Sequence, residues 1–106
     1  MYSKSKKQFR ENQKYLAGGV SSHFRMIYHP VPLTYKSAKG SKLKDIDGNT
    51  YIDYALAAGP IVLGHAPTKV LNAVKKSLSK GQLYYGQHET EIQLAKKITE
   101  IIPSAE

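Results

Sequence analysis

The sequence feature that most constrains the fold is the tripeptide Asp47-Gly48-Asn49, which separates two short β-prone runs at residues 43–46 and 50–54. Gly and Asn adopt positive φ at little cost, so a connection of this composition favours a tight turn and a β-hairpin. A third β-prone run, at residues 33–36, leads into a turn at residues 38–41. Together the three runs predict a three-stranded antiparallel meander.

Three other segments have the patterns of helices. Residues 3–16 are polar and weakly amphipathic, and Gly18-Gly19 is expected to end that helix. Residues 68–80 place four aliphatic side chains on one helical stripe. A further helix is predicted from about residue 89 to residue 102, where Pro103 stops it.

These elements predict an α+β chain of one small domain, with 106 residues in all. Its order is an N-terminal helix, the three-stranded meander and then two helices. We divide it into an N-terminal helical arm (1–17), a section that holds an irregular segment, the meander and an apolar loop (18–66), and a final section with the two helices (67–106).

The apolar loop covers residues 55–66 and includes Gly59-Pro60, with His65 as its only ionisable side chain. Exposed loops are normally polar, because water satisfies their backbone groups. We therefore expect this loop to be buried, with another part of the protein or a ligand closing over it.

The composition excludes several classes of protein and site. There is no cysteine, which rules out a disulfide framework, a cysteine-based zinc site and a thiol nucleophile. No apolar run approaches the roughly 20 residues that cross a bilayer, so we expect no membrane contact. The basic start precedes no apolar segment, so we expect no secretory signal and a cytoplasmic location.

Charge is distributed unevenly along the chain. Residues 1–44 hold ten Lys and Arg and one acid, whereas residues 45–106 hold six bases and seven acids. Such asymmetry leaves open a basic binding or interaction module without catalysis. The basic residues are scattered as singles and doublets through helix, loop and strand patterns, which disfavours nucleic acid as the partner.

The four histidines do not form a metal-binding pattern. No two of His23, His29 and His88 have the i, i+3 or i+4 spacing of a metal-binding pair. His65 stands just before a helix, where its ring is expected to bond nearby backbone. The sequence therefore predicts no metal site.

The acids and Arg25 offer two further candidates. Asp45 and Asp47 resemble a carboxylate pair, but we expect them to stabilise the hairpin turn through their own backbone. Arg25 lies in an irregular segment after the first helix. A guanidinium there can hold a ligand carboxylate as a bidentate fork, or it can form an ordinary surface salt bridge.

Four sequence blocks follow one another along the chain. They are Gly18-Gly19-Val20 through Arg25, residues 44–54, residues 59–65, and Val70 with a helix ending at Lys80-Gly81. In this order and spacing they resemble the N-terminal part of class III aminotransferases. The resemblance covers about residues 15–106 and is nearest to the branch of the glutamate-1-semialdehyde aminomutases and their relatives.

This resemblance implies an α+β fragment that forms part of the small domain of a fold type I enzyme dependent on pyridoxal 5′-phosphate. Members of the family are several times longer and work as homodimers on small amino-acid substrates. Their cofactor-binding lysine, the aspartate that pairs with the pyridine nitrogen and the phosphate-binding Ser-Gly-Thr motif belong to later segments. The resemblance therefore implies that this chain holds no catalytic residue and no cofactor-binding residue. It also implies that the remainder of the polypeptide is the partner of this chain.

The same resemblance places four residues of this chain towards the substrate. Ser22 and Arg25 match substrate-facing positions, and the arginine would hold the substrate carboxylate. Phe24 matches a smaller apolar residue. Ala58 stands where the aminomutase branch has a tryptophan beside the substrate. We refer to these four as the predicted substrate residues.

Departures from the aminomutase pattern bear on the reaction. The missing ring at Ala58 enlarges the pocket, His23 stands where the branch often has proline, and residues 84–89 differ from the aminomutase form. These differences favour an aminotransferase that moves an amino group between an amino acid and a carbonyl acceptor. Glutamate-1-semialdehyde 2,1-aminomutase is the alternative.

Overall fold

A computed structural model describes residues 1–27 and 30–105. Contacts within the chain define two compact units, Met1–Leu71 and Asn72–Glu106. His29, one of the histidines considered above, lies outside the described residues. The division of the sequence at residues 17 and 66 stays a prediction.

The sheet is the predicted meander. Strands β1 (Tyr35–Lys39), β2 (Lys42–Asp45) and β3 (Thr50–Ile52) pair antiparallel in the order β1-β2-β3. The β-hairpin between β2 and β3 is confirmed, with Lys42 opposite Ile52. The α+β order predicted from the sequence is likewise confirmed.

Two strand limits differ from prediction for local reasons. β1 starts later than residue 33 and includes two residues assigned above to the turn, because its ladder to β2 continues as far as the Lys39–Lys42 pair. Gly40, with φ +56°, then reverses the chain. β3 ends at Ile52 because the Asp53 carboxylate next to it binds the following backbone N–H groups and starts a turn.

The first helix, α1 (Ser3–Asn12), is shorter than the predicted residues 3–16. The chain leaves the helix in a turn that folds back onto it, so that Gly19 comes to rest against the Phe9 ring. A Cβ atom at Gly19 would lie 2.7 Å from a Phe9 ring carbon. The helix therefore ends early to allow this return, and Gly18-Gly19 belongs to the return and not to the last helical turn.

The N-terminus of α1 is capped from the sheet. Asp47, in the β2–β3 turn, accepts hydrogen bonds from the backbone N–H groups of Lys4 (2.8 Å) and Ser5 (2.9 Å) and from the Ser5 hydroxyl (2.6 Å). First-turn N–H groups have no acceptor within a helix, and Tyr2 at the cap position supplies none. The expectation that Asp47 bonds its own turn is therefore wrong, because the helix offers it two unpaired donors.

Asp45 does stabilise the hairpin turn, as predicted. It is 1% exposed and accepts hydrogen bonds from the backbone and side chain of Asn49 (2.7 and 2.8 Å) and from the Tyr51 hydroxyl (2.9 Å). Burial, together with hydrogen bonds to Tyr2 and Asp45, raises the pKa of Tyr51 above its ordinary value of 10. Tyr51 therefore stays protonated and donates.

The interior of the first unit is mainly polar. Among the described residues the buried side chains are Val31, Ser5 and Asp45, of which only Val31 is apolar. Burying polar groups is unfavourable unless each is hydrogen-bonded. No buried side-chain polar atom in the described part of the chain lacks a hydrogen-bond partner.

Helices α2 (Thr68–Leu78) and α3 (Glu89–Ile101) match their predicted limits to within two residues. Their aliphatic stripes are exposed, at 40–66% of each side chain. The exposed aliphatic residues include Val70, Leu71, Val74 and Leu78 on α2 and Ile92, Leu94, Ile98 and Ile101 on α3. Of the helices that the structure describes, none is both long and apolar enough to span a membrane.

Replacing Gly19 tests the return of the chain onto α1. Gly19→Ala adds a left-handed alanine (φ +76°) and an overlap with Phe9 and Gln13, so it should lower the free energy of unfolding by about 2–5 kcal/mol. Gly40→Ala is the matched control, because its Cβ meets nothing within 4 Å and only the backbone term of about 1–2 kcal/mol applies. Urea unfolding of the chain measures both, and equal losses would contradict the packing argument.

The pKa of Asp47 predicts a pH dependence for the cap. Burial raises the pKa of Asp47, but hydrogen bonds from Ser5 and the Lys4 backbone outweigh it and hold the pKa below 3.8. A lowered pKa adds stability that is complete above about 3.8 and disappears as the pH falls through the folded-state value. Asp47→Asn should therefore speed amide exchange at Lys4 and Ser5 at neutral pH, and this difference should shrink in acid.

Glu11→Gln provides the control for that measurement, because Glu11 is a half-exposed acid on α1 that forms an ion pair with Lys14 (2.8 Å). It should leave exchange at Lys4 and Ser5 unchanged. An Asp47→Asn effect that persists undiminished in strong acid would show that the charge of Asp47 is not what matters.

Candidate substrate-binding surface and loop

Arg25 lies on a short 3-10 turn, His23–Ile27, and its side chain is exposed. Its guanidinium donates a hydrogen bond to the Ser21 hydroxyl, and its backbone N–H donates to the Ser22 carbonyl (3.0 Å). One end of the fork is thus oriented by a neighbouring serine while the rest of the guanidinium stays accessible. Ser22 supports the turn through its carbonyl.

Phe24 lies on the same turn with 68% of its side chain exposed. Its ring is 4.1 Å from the ring of His23, centroid to centroid. A groove of about 320 Å³ lies nearby between α1 and residues 30–32. None of the predicted substrate residues lines that groove, so Phe24 and Arg25 form an open surface and not the wall of a cavity.

Ala58, the fourth predicted substrate residue, lies in a left-handed segment of the apolar loop. Leu56, Ala57 and Ala58 have φ values of 48°, 52° and 65°. This conformation costs roughly 1–2 kcal/mol for each residue with a side chain, so the loop is strained. No hydrogen bond joins the Ala58 segment to the Arg25 turn among the described residues.

The apolar loop is exposed in this chain, where Val62 and Leu63 are 77% and 72% exposed. That another part of the protein or a ligand closes over the loop stays a prediction.

One hydrogen-bonded pair, Asp53 and His65, joins the two ends of the loop. Asp53, directly after β3, accepts hydrogen bonds at Oδ1 from the backbone N–H groups of Ala55 (2.9 Å) and Leu56 (3.0 Å). Its Oδ2 lies 2.7 Å from Nε2 of His65. The prediction that the His65 ring bonds backbone is wrong, because the Asp53 carboxylate is within its reach.

The protonation state of this pair follows from its chemistry. The hydrogen bond from His65, followed by that from the Leu56 N–H, holds the pKa of Asp53 below 3.8 against the effect of burial. An ionised carboxylate only accepts hydrogen bonds, so Nε2 of His65 carries the proton and donates it. The side chains of Asp53 and His65 are 6% and 19% exposed.

The backbone of His65 is fixed to the sheet as well. Its N–H donates to the Gly40 carbonyl and its carbonyl accepts from the Gly40 N–H, both at 2.8 Å. Gly64 makes this approach possible, since a Cβ there would lie 3.0 Å from the Gly40 oxygen. Asp53 was not among the site residues predicted from the sequence. Its position at the end of a strand, before a run of small residues, could have indicated its role.

In the second unit, the segment that departs from the aminomutase pattern has a structural role. Tyr84 and His88 stack with ring centroids 4.9 Å apart, and the Tyr84 hydroxyl donates to the Lys80 carbonyl. Nδ1 of His88 accepts a hydrogen bond from the Thr90 N–H (3.3 Å) and caps α3. These contacts order the entry to the helix.

Two observations on the described residues bear on metals and cofactors. No three metal-ligating side chains gather anywhere in the described ranges. Every lysine side chain is exposed. That this chain holds no cofactor-binding residue stays a prediction.

Comparison with known proteins agrees with this fold. The chain is 49% identical over 102 residues to a glutamate-1-semialdehyde 2,1-aminomutase of Methanobrevibacter smithii, which covers 96% of the chain and 24% of that protein. The chain thus spans about a quarter of the length of the curated relatives it matches.

Two crystal structures have the same fold. A glutamate-1-semialdehyde aminomutase from Pseudomonas aeruginosa matches with a TM-score of 0.89 and 25% identity, over 97% of this chain and 23% of that one. A β-phenylalanine aminotransferase from Variovorax paradoxus matches with a TM-score of 0.86 and 31% identity, over 94% and 23%. The family model for class-III aminotransferases matches residues 24–106, and the chain belongs to that family.

Proposed function

We propose that this chain is the N-terminal part of a pyridoxal-phosphate-dependent enzyme that moves an amino group between an amino acid and a carbonyl acceptor. The observation that carries the proposal is the class III match over residues 24–106. It is supported by the fold shared with the Variovorax paradoxus aminotransferase. Pyridoxal phosphate, when bound, supplies the electron sink for the reaction at the amino-bearing carbon.

The rest of the polypeptide is the partner that this proposal requires. The chain spans 24% of its Methanobrevibacter smithii relative, and its aliphatic faces on α2 and α3 are exposed. A large exposed apolar surface is typical of an interface. We propose that the remaining domain and a second copy of the enzyme cover these faces and the apolar loop, in a cytoplasmic homodimer.

We propose a role for each of the predicted substrate residues. Arg25 presents a planar guanidinium with one N–H engaged by Ser21, which leaves N–H groups to bind a substrate carboxylate in parallel. Phe24, beside it, offers an apolar surface to the substrate side chain. Ser22 fixes the turn, and the small side chain of Ala58 leaves space.

Glutamate-1-semialdehyde 2,1-aminomutase is the second candidate. It is favoured by the 49% identity to the Methanobrevibacter smithii relative. Ala58, which replaces the tryptophan of that branch by resemblance, supports the broader amino-transfer reaction instead. The two differ in a measurable way, since an aminomutase rearranges one substrate and consumes no separate acceptor.

The complete polypeptide tests the proposal directly. Loaded with pyridoxal phosphate, it should transfer amino groups from carboxylated donors to a keto acid. The 106-residue chain alone should transfer none and retain no cofactor after borohydride reduction, because its lysines are exposed. Rearrangement of glutamate-1-semialdehyde without an acceptor would favour the aminomutase. No activity in the complete enzyme would favour a basic interaction module without catalysis.

Replacing Arg25 tests the carboxylate contact. Arg25→Ala should lower kcat/KM for carboxylated donors at least about 30-fold, the effect typical of removing one partner of a desolvated charge pair. Arg25→Lys keeps the charge but loses the fork, so it should recover only part of this. Amines that lack a carboxylate should be nearly unaffected by both changes.

Arg10→Ala supplies the control, because Arg10 is an exposed arginine on α1 and, in the described part of the chain, no hydrogen bond joins it to the Arg25 turn. It should change kcat/KM by less than about twofold. Equal losses for carboxylated and plain amines in Arg25→Ala would make Arg25 a structural residue.

A further inference from the structure

We propose that Asp53 and His65 are a positioning pair, whose hydrogen bond holds residues 56–58 in their left-handed conformation and so determines which substrate side chains fit beside residue 58. The inference rests on the proposed function, and it assigns that function two residues that do not touch the substrate. The evidence for it is the set of hydrogen bonds that hold the loop in its conformation.

The Asp53 carboxylate is at the centre of the hydrogen bonds that hold the loop. Both oxygens are used, Oδ1 by the N–H groups of Ala55 and Leu56 and Oδ2 by Nε2 of His65 at 2.7 Å. One side chain thus joins residues at the beginning of the loop to the residue that ends it. Because the Asp53 side chain is only 6% exposed, water competes little for these bonds.

His65 is itself bonded to the sheet through its backbone. Two backbone hydrogen bonds of 2.8 Å join it to Gly40, in the turn between β1 and β2. The ring therefore extends from a point fixed to the sheet. A carboxylate bonded to that ring is held in place, and it holds Ala55 and Leu56 in turn.

Few other interactions hold the strained segment, residues 56–58, in place. Leu56, Ala57 and Ala58 all have positive φ, a conformation that persists only when surrounding interactions require it. Packing does not supply those interactions, since Ala57 and Ala58 are exposed in this chain. The local bonds run from Ala58 N–H to Ala55 O (2.8 Å) and from the N–H groups of Gly59 and Ile61 to Leu56 O (3.0 and 3.2 Å). Their acceptors, Ala55 and Leu56, are the residues whose N–H groups Asp53 holds.

The consequence concerns specificity. If the Asp53–His65 bond is lost, residues 56–58 can relax towards ordinary backbone angles, and the side chain at position 58 moves. A shift there alters the fit of the substrate side chain but not the binding of its carboxylate. Donors with large and small side chains should therefore be affected unequally.

The test uses the complete enzyme and a pair of amino donors, one with a bulky aromatic side chain and one with a small aliphatic one. Asp53→Asn and His65→Gln should each change the ratio of the two kcat/KM values by about fivefold or more. The double variant should be little worse than the more affected single variant, because both changes remove the same bond.

Ala57→Gly provides the rescue. Glycine adopts positive φ without strain, so this change should restore most of the donor ratio in Asp53→Asn, although it adds no contact. Asp47→Asn is the matched control, a carboxylate that also accepts two backbone N–H bonds but holds α1 and not the loop. It should leave the donor ratio unchanged.

A uniform fall for both donors, or no rescue by Ala57→Gly, would overturn the inference and leave Asp53 a purely structural residue. Failure of the proposed function is separately visible, because the wild-type enzyme would then transfer no amino group. In that case amide exchange still tests the pair, since Asp53→Asn should expose the Ala58 and Gly59 amides and Ala57→Gly should protect them again. Unchanged exchange in Asp53→Asn would overturn the inference.

Discussion

The contact on which the first unit depends is the capping of α1 by the Asp47 carboxylate. It links the first residues of the chain to a turn more than forty positions later, through two backbone N–H groups and the Ser5 hydroxyl. It also places α1 where Phe9 meets Gly19. Hydrogen bonds have strict directions, so this contact fixes the position of the helix more narrowly than apolar contacts alone do.

A polar centre of this kind gives the fold its geometry but adds little hydrophobic stabilisation. A single buried apolar residue, Val31, serves the described part of the chain, while the aliphatic stripes of α2 and α3 remain exposed. Small chains bury too little surface to leave many such groups in water. Under the proposed function these stripes belong to a larger core, to which the relatives' additional three quarters of sequence would contribute.

Local patterns predicted the elements well, and contacts distant in sequence were beyond their reach. Asp47-Gly48-Asn49 predicted the hairpin, and the aliphatic spacing predicted α2 and α3 closely. The cap on α1 and the Asp53–His65 bond escaped prediction, because each joins residues that only the folded chain brings together. Helix α1 was predicted too long for the same reason, since contact with Gly19 and not propensity ends it.

The apolar loop combines two properties that rarely occur together. Hydrogen bonds to the Asp53 carboxylate and between backbone groups fix its ends. Its middle has a strained backbone, small side chains and a high exposure. Strain of this kind persists where a defined backbone shape is needed, and it is concentrated at binding and active sites. Under the proposed function, a substitution at Ala58 would change the substrate specificity of the enzyme, while the Asp53–His65 pair would keep the backbone of the loop in place. That division of tasks fits a family whose members share a fold and differ in the substrates that their names record.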